Sequence, residues 1–202
     1  MPSAAGKAPT KTARVGVLGL QGDFSEHLST LRDIGADGVD VRRPEQLDDI
    51  DALIIPGGES TTIGKLAHNY GIIPKLRERA AQGMPVWGTC AGAIFLANDV
   101  PGHPHPLAEL MDITVERNAF GRQIDSFEAD LDVEGISGGP FHAVFIRAPK
   151  ITRTGPSVGV LARLQDGTVV AVRDGNLLAT SFHPELTRDE RFHRLFLSFG
   201  KR

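Results

Sequence analysis

Four short runs in the first hundred residues, RVGVLGL (14–20), VDVR (39–42), ALIIP (52–56) and MPVWG (84–88), restrict the fold more than any other feature. Each is short for a helix, and ALIIP is apolar almost throughout, as strands buried on both faces of a parallel sheet are. Helical material separates them. In DFSEHLSTLRDIG (23–35), Phe24, Leu28, Leu31 and Ile34 recur at helical spacing, with Asp23 placed as N-cap and Gly35 as stop. Residues 61–81 read as helix broken near Gly71 and Pro74, and AGAIFLAND (91–99) as a short helix. This β-α-β rhythm predicts an open, mostly parallel sheet with helices on both faces.

The second half changes character. ITVER, QIDSFEADL, HAVFIRAP, VGVLARL, TVVAVRDG and NLLATSF are strand candidates divided by Gly, Pro and Asp turns. Asp166-Gly167 and Asp174-Gly175 each predict a hairpin. GHPHPLAEL (102–110) reads as a surface loop. A last helix is expected over 188–199, with Phe192, Leu195, Phe196 and Phe199 on one face. Residues 1–13 read as a short disordered tail ahead of a single domain over 14–202.

Composition excludes several functions. A formal charge of -3 with scattered basic residues gives no footprint for nucleic acid or for an anionic membrane surface. No apolar run approaches the roughly 18 residues that span a bilayer, and the opening lacks the apolar core of a secretory signal. Cys90 is the lone cysteine, so no internal disulfide forms, and a cytoplasmic location is expected.

Cys90 stands in GTCAG (88–92), after a strand and before a helix. The pattern G-x-C-x-G has the mechanics of a nucleophile elbow, a sharp turn that lifts the side chain out at the carboxyl end of a strand. A Cβ at Gly88 or Gly92 would collide with the neighbouring strand and helix. The helix N-terminus favours a thiolate, and the Ala91 N–H is set to bind an oxyanion. A thiolate needs a base, and ATSFHPEL (179–186) offers His183 with Glu185 two residues on, where an extended chain faces both to one side. In LIIPGGESTTIG (53–64), Gly57-Gly58 follow a strand and precede a helix capped by Ser60 or Thr61. That turn is a candidate second oxyanion donor. It lacks GK[ST] and GxGxxG, so phosphate binding is disfavoured. His103 and His105 have no carboxylate or cysteine company for a metal and read as a solvated loop. His27, His68 and His193 lie on predicted helices, where they pack or face water, and His142 is assigned no role.

Taken together, GVLGLQGDFSEH, PGGESTTIG, GTCAGAIFLA, ERNAFGRQIDSFEADL, FIRAP and TSFHPELTRDERFHRLF resemble the glutaminase subunits of pyridoxal 5'-phosphate synthase, a branch of the class I (triad) glutamine amidotransferases. GTCAG and HPE are common to the superfamily, whereas NAFGRQIDSFE and FIRAP point to the vitamin B6 branch. The resemblance spans nearly everything from residue 14 to residue 199. It implies a three-layer, flavodoxin-like α/β/α domain with a mixed, mostly parallel sheet. It also implies hydrolysis of L-glutamine to glutamate and ammonia by Cys90, His183 and Glu185, without a cofactor or metal. Ala91 and Gly58 would hold the oxyanion. Gly58, Glu59, Ser60, Arg117, Ile146 and Arg147 would hold the amino-acid end of the substrate. Arg117 and Arg147 have the charge for its carboxylate, or for structural salt bridges with Glu59, Glu116 or Glu128. The implied partner is a ring-forming (β/α)8-barrel synthase in a large multimeric complex, which receives the ammonia through a sheltered path. Gln21, ending the first strand, is expected near that interface. Two other readings are an amidotransferase subunit serving another pathway and a catalytically silent module on the same fold.

Overall fold

The computed structural model describes residues 13–117 and 126–200. The tail lies outside these residues apart from Ala13, as does 118–125, which is the whole of NAFGRQID.

Five parallel strands form the half of the sheet that matters for the site. They are β1 (Arg14–Leu18), β2 (Asp37–Val41), β3 (Ala52–Ile55), β4 (Val86–Thr89) and, from the far end of the chain, β12 (Leu177–Thr180). Their spatial order is β2-β1-β3-β4-β12. Every residue of β3 and β4 is buried, which explains why these strands read as continuous apolar runs. Neighbouring residues alternate between two cores. Leu53, Ile55 and Val86 face one, while Ala52, Ile54 and Trp87 face the other.

The first core is covered by α2 (Ser60–Asn69), α3 (Ile72–Ala81) and α4 (Ala91–Leu96). The second is covered by α1 (Phe24–Asp33) and α5 (Arg191–Phe196), joined by an antiparallel hairpin of β7 (Ser126–Leu131) and β8 (Phe141–Ile146). The architecture is therefore three-layered and mostly parallel, as expected, with a hairpin in one outer layer. Phe141 and Phe145 of that hairpin pack edge-to-face on Phe192 and Phe182 respectively.

Beyond β12 the sheet continues through β11 (Val169–Asp174), β9 (Lys150–Thr154), β6 (Met111–Glu116) and β5 (Ala97–Asp99), with β10 (Gly159–Arg163) also on β11. The pairs β10·β11 and β11·β12 are antiparallel, and each closes at one of the two Asp-Gly turns.

The structure corrects several boundaries. The break between α2 and α3 falls at Gly71, whose φ is 71°. Pro74 lies inside the first turn of α3, where its missing N–H has no helical acceptor. Residues 97–99 are not helical, because Ala97 turns extended (ψ 145°) and pairs with Met111. The last helix is shorter than 188–199: after Phe196 the bonds Ser198 N–H to Leu195 O and Phe199 N–H to Phe196 O tighten the chain into turns. Phe192, Phe196 and Phe199 are nonetheless all buried. The 102–110 loop is not purely surface. Arg77 ties down the carbonyls of Leu107 and Ala108 (3.2 and 2.7 Å), and both residues are buried.

Candidate functional site

Four adjacent parallel strands end at one rim of the sheet, and each runs into site residues. β1 leads to Gln21–Asp23, β3 to Gly57–Glu59, β4 to Cys90 and β12 to His183. Between β1 and β3 the following helices diverge to opposite faces, opening a crevice beyond the strand ends.

Cys90 adopts φ 48° and ψ -104°, a conformation that L-residues occupy only under constraint. Its N–H is tied to the Thr180 carbonyl of β12 (2.8 Å) and its carbonyl accepts from Ala93 N–H (3.1 Å), so the turn is anchored from both sides. The two glycines are required by contact. A Cβ on Gly88 would lie 2.4 Å from the Gly92 carbonyl group, and one on Gly92 only 2.0 Å from Ile55 O. The sulfur lies 3.8 Å from Ile146 O at the end of β8.

His183 is buried, with its N–H bound to Val144 O of β8 (2.8 Å). Its Nδ1 meets Glu185 Oε1 at 2.8 Å and Asp23 Oδ2 at 3.4 Å. Burial would lower the imidazole, but the Cys90 sulfur and the Glu185 carboxylate outweigh it and push His183 up to about 10. Glu185 is fully buried, and burial raises its carboxyl against the downward pull of His183. The HPE segment forms one turn of 3-10 helix (Pro184–Leu186) rather than an extended strand, yet the pair still meets. Asp23, His183 and Glu185 are also a set of three potential metal ligands among the described residues. A cation there would have to displace the proton that Nδ1 shares with Glu185.

The glycine turn lies against this pair. A Cβ on Gly57 would meet His183 Cε1 at 2.4 Å, and Gly58 has φ 151° with Gln21 Oε1 2.3 Å from its Cβ position. The Gly57 carbonyl accepts from Asp23 N–H (3.1 Å), which sets the plane of the Gly57–Gly58 peptide. Gln21 Oε1 accepts from Glu59 N–H at 2.6 Å.

The expected cap of α2 is corrected. Ser60 is the first helical residue, and Glu59 does the capping, its carboxylate accepting from the N–H groups of Thr61 (3.1 Å) and Thr62 (2.7 Å). Its small burial works upward, but the Thr62 and Thr61 hydrogen bonds win and lower Glu59 to about 2. Arg117, at the end of β6, reaches Glu59 Oε1 (3.4 Å) and His103 Nδ1 (3.2 Å). Arg147 follows Ile146 with φ 43°. A depressed carboxylate stabilises the fold above its unfolded value near 4.5, and that stability is lost as pH falls toward 2. Glu59→Ala is therefore expected to cost about 1 kcal/mol at neutral pH, read as a Tm lower by about 2–4 °C. The difference from wild type should narrow in melts below pH 4.5.

The sequence placed Asp23 only as an N-cap and His27 only as a residue that packs or faces water, not at the site. Asp23 occupies the N-cap position of α1 but makes no capping bond, and faces His183 instead. His27 is wholly buried behind Glu185. The signal was positional: the carboxyl end of β1 belongs to the same rim as those of β3, β4 and β12.

An α/β sheet that gathers an elbow cysteine and an imidazole–carboxylate pair at one rim has the architecture of the class I glutamine amidotransferases. A crystal structure described as a glutamine amidotransferase superposes with a TM-score of 0.87 at 55% identity, covering 91% of this chain and 97% of that one. The "Pyridoxal 5'-phosphate synthase subunit PdxT" of Dehalococcoides mccartyi is 58% identical over 190 residues, 93% of this chain and 97% of the relative. PurLQS from Thermotoga maritima, at 17% identity and a TM-score of 0.71, shares the fold alone. The profile of the SNO glutamine amidotransferase family matches residues 17–200, and the chain belongs to that family.

Among the described residues no helix is long and apolar enough to cross a membrane.

Proposed function

We propose that the chain hydrolyses L-glutamine to L-glutamate and ammonia and hands the ammonia to a synthase subunit that makes pyridoxal 5'-phosphate. The observation that carries this reading is the buried His183–Glu185 pair, 2.8 Å apart, beside the strained Cys90 turn. The names of the relatives at 55–58% identity supply the pathway.

In the proposed reaction the Cys90 sulfur attacks the carboxamide carbon, its proton having passed to His183. An imidazole raised to about 10 already holds that proton at neutral pH. The oxyanion rests on the N–H groups of Ala91 and Gly58. As the tetrahedral adduct collapses, the C–N bond breaks and His183 protonates the leaving ammonia. Water, deprotonated by His183, then cleaves the glutamyl thioester and releases glutamate. Arg117 and Arg147 take the substrate α-carboxylate, with Gly58, Glu59, Ser60 and Ile146 shaping that end of the site. Glu59 thus has two duties, since it also caps α2.

Ammonia set free in water would be protonated, so the partner (a β/α-barrel synthase in a multimeric assembly) must receive it directly. Waste is avoided if the lone subunit idles. The Gly57–Gly58 peptide suits such a switch, because among the described residues reversing it sacrifices only the Asp23 N–H bond, about 1 kcal/mol. Gln21, bonded to the Glu59 N–H, links the turn to the rim where the synthase would dock.

The deciding experiment is a glutaminase assay with and without the cognate synthase. Turnover should be slow alone and fast in the complex, and on the alkaline side kcat should hold until pH rises past about 10, where His183 loses its proton. Absence of glutamate release even with synthase would overturn the function, equal rates alone and in complex would overturn the gating, and an alkaline limb near pH 7 would overturn the proton assignment.

A further inference from the structure

Behind the proposed triad lies a second layer of titratable groups that the reaction above does not use. Glu185 sends Oε1 to His183, while its Oε2 is buried and has no hydrogen bond of good geometry among the described residues. His27 Nε2 stands 3.4 Å away, at ion-pair length. That nitrogen also lies 3.3 Å from Thr89 Oγ1, and the other nitrogen, Nδ1, is 2.9 Å from His193 Nε2. Both imidazoles are completely buried and stand edge-on to Trp87, with ring centroids at 5.7 and 5.0 Å.

The proton positions follow from counting acceptors. Burial, then His193 and His183, lower His27, and burial lowers His193 to about 4, so each ring is neutral and carries one N–H. If His27 carried it on Nδ1, its bare Nε2 lone pair would face the Glu185 carboxylate. The N–H of His193 would then be stranded on Nδ1, a buried atom with no partner. If His27 carries it on Nε2, both Thr89 Oγ1 and Glu185 Oε2 can accept it. His193 Nε2–H then donates to His27 Nδ1, and only a bare lone pair is left on His193 Nδ1. A stranded buried donor costs more than an unused acceptor.

We propose that His27 is a positioning residue for the triad: its Nε2–H, oriented by His193, holds Oε2 of Glu185 so that Oε1 stays charged and aimed at His183. The N–H groups then run in one direction, from His193 to His27 to Glu185, which accepts from His183 on its other oxygen. The inference rests on the glutaminase reading above. The titratable groups facing Glu185 are His183 on its own segment, Asp23 ahead of α1 and His27 within α1, with His193 of α5 behind and Cys90 beyond His183.

Two polar substitutions separate this role from a packing role. A glutamine at 27 can place an amide N–H where Nε2 stood, whereas an asparagine reaches only the Nδ1 side and leaves Oε2 bare. In the complex with synthase, His27→Asn should lower kcat about tenfold to a hundredfold, the worth of a hydrogen bond to a charged group. KM should stay within about twofold, and the acid limb of the kcat profile should move to higher pH as Glu185 becomes harder to ionise. His27→Gln should recover most of kcat and the wild-type limb. A second readout needs no glutamine: in the full chain labelled with 15N-histidine, the His183 Nδ1–H resonance should keep its position in His27→Gln and move upfield in His27→Asn. Equal losses in both variants, or better function in His27→Asn, would overturn the proposal in favour of packing through His193. An unshifted resonance in both would overturn it as well. Failure of the wild-type complex to release glutamate would instead strike the function, while the resonance still decides the positioning.

Discussion

Cys90→Ala is expected to abolish glutamine-dependent synthesis by the complex while synthesis from added ammonium salts continues at the wild-type rate. The elbow should survive the change. Alanine meets the same steric limits as cysteine at φ 48°, so the strain is already present in the native turn, and the anchoring bonds use only backbone atoms. What disappears is the sulfur, and with it the only covalent route through the site. Triad members act as a unit, so loss of the nucleophile should lower glutamine turnover by a factor on the order of 10⁴ or more. The two nitrogen sources are to be compared in one preparation, with product formation as the signal. Glutamine-dependent activity within tenfold of wild type would exclude Cys90 as nucleophile. Loss of the ammonium-dependent reaction would show instead that the variant fails to support the synthase.

The gathering of Cys90, His183 and Glu185 at one rim was legible because the chemistry proposed for them demands backbone geometry that leaves a trace in the sequence. A cysteine on a turn this tight needs glycine on both sides, and a Cβ at Gly88 or Gly92 would clash with backbone atoms that cannot yield. The parallel half of the sheet was legible for a related reason: strands buried on both faces have no polar alternation, so β3 and β4 stand out as apolar blocks. KITRT hid β9, because only Ile151 is buried and the alternation resembles a polar loop. The hairpin β7–β8 was visible as strands but not as the cover of α1's side, since nothing in SFEADL or FHAVFI tells which sheet they join. Glu59 illustrates a different limit. The resemblance assigned its carboxylate to the substrate, but its capping went unread: a helix begins one residue later, and an acidic side chain at that point also accepts from the free N–H groups of Thr61 and Thr62. His27 was invisible for the plainest reason. One histidine on an amphipathic helix carries no signature, and its neighbours Glu185 and His193 are more than a hundred residues away.

Gly92→Ala tests the elbow from the opposite direction, by disturbing its frame while removing no functional atom. The methyl group would lie 2.0 Å from Ile55 O and 2.9 Å from Ile55 C, both backbone atoms of β3. Relief requires α4 to lift from β3 by about 1 Å, bringing the nearest approach toward 3.0 Å. Gly88 leaves no room on the β4 side, where the Gly92 carbonyl group already sits 2.4 Å from the Gly88 Cβ position. Overpacking of this kind costs roughly 1–3 kcal/mol, and in a chain of this size each kcal/mol lowers Tm by about 2–4 °C. A fall of about 2–12 °C by thermal melting is therefore expected. The catalytic effect should be larger than the loss of stability implies. A displacement of about 1 Å at a reacting atom costs on the order of a hundredfold, and the Ala91 N–H moves with the same turn. Gly159→Ala is the control, because its Cβ would meet nothing nearer than Arg173 O at 3.7 Å; it should melt and turn over as wild type. Wild-type melting and turnover in Gly92→Ala would mean that α4 and β3 are not held at the separation on which the geometry of Cys90 depends.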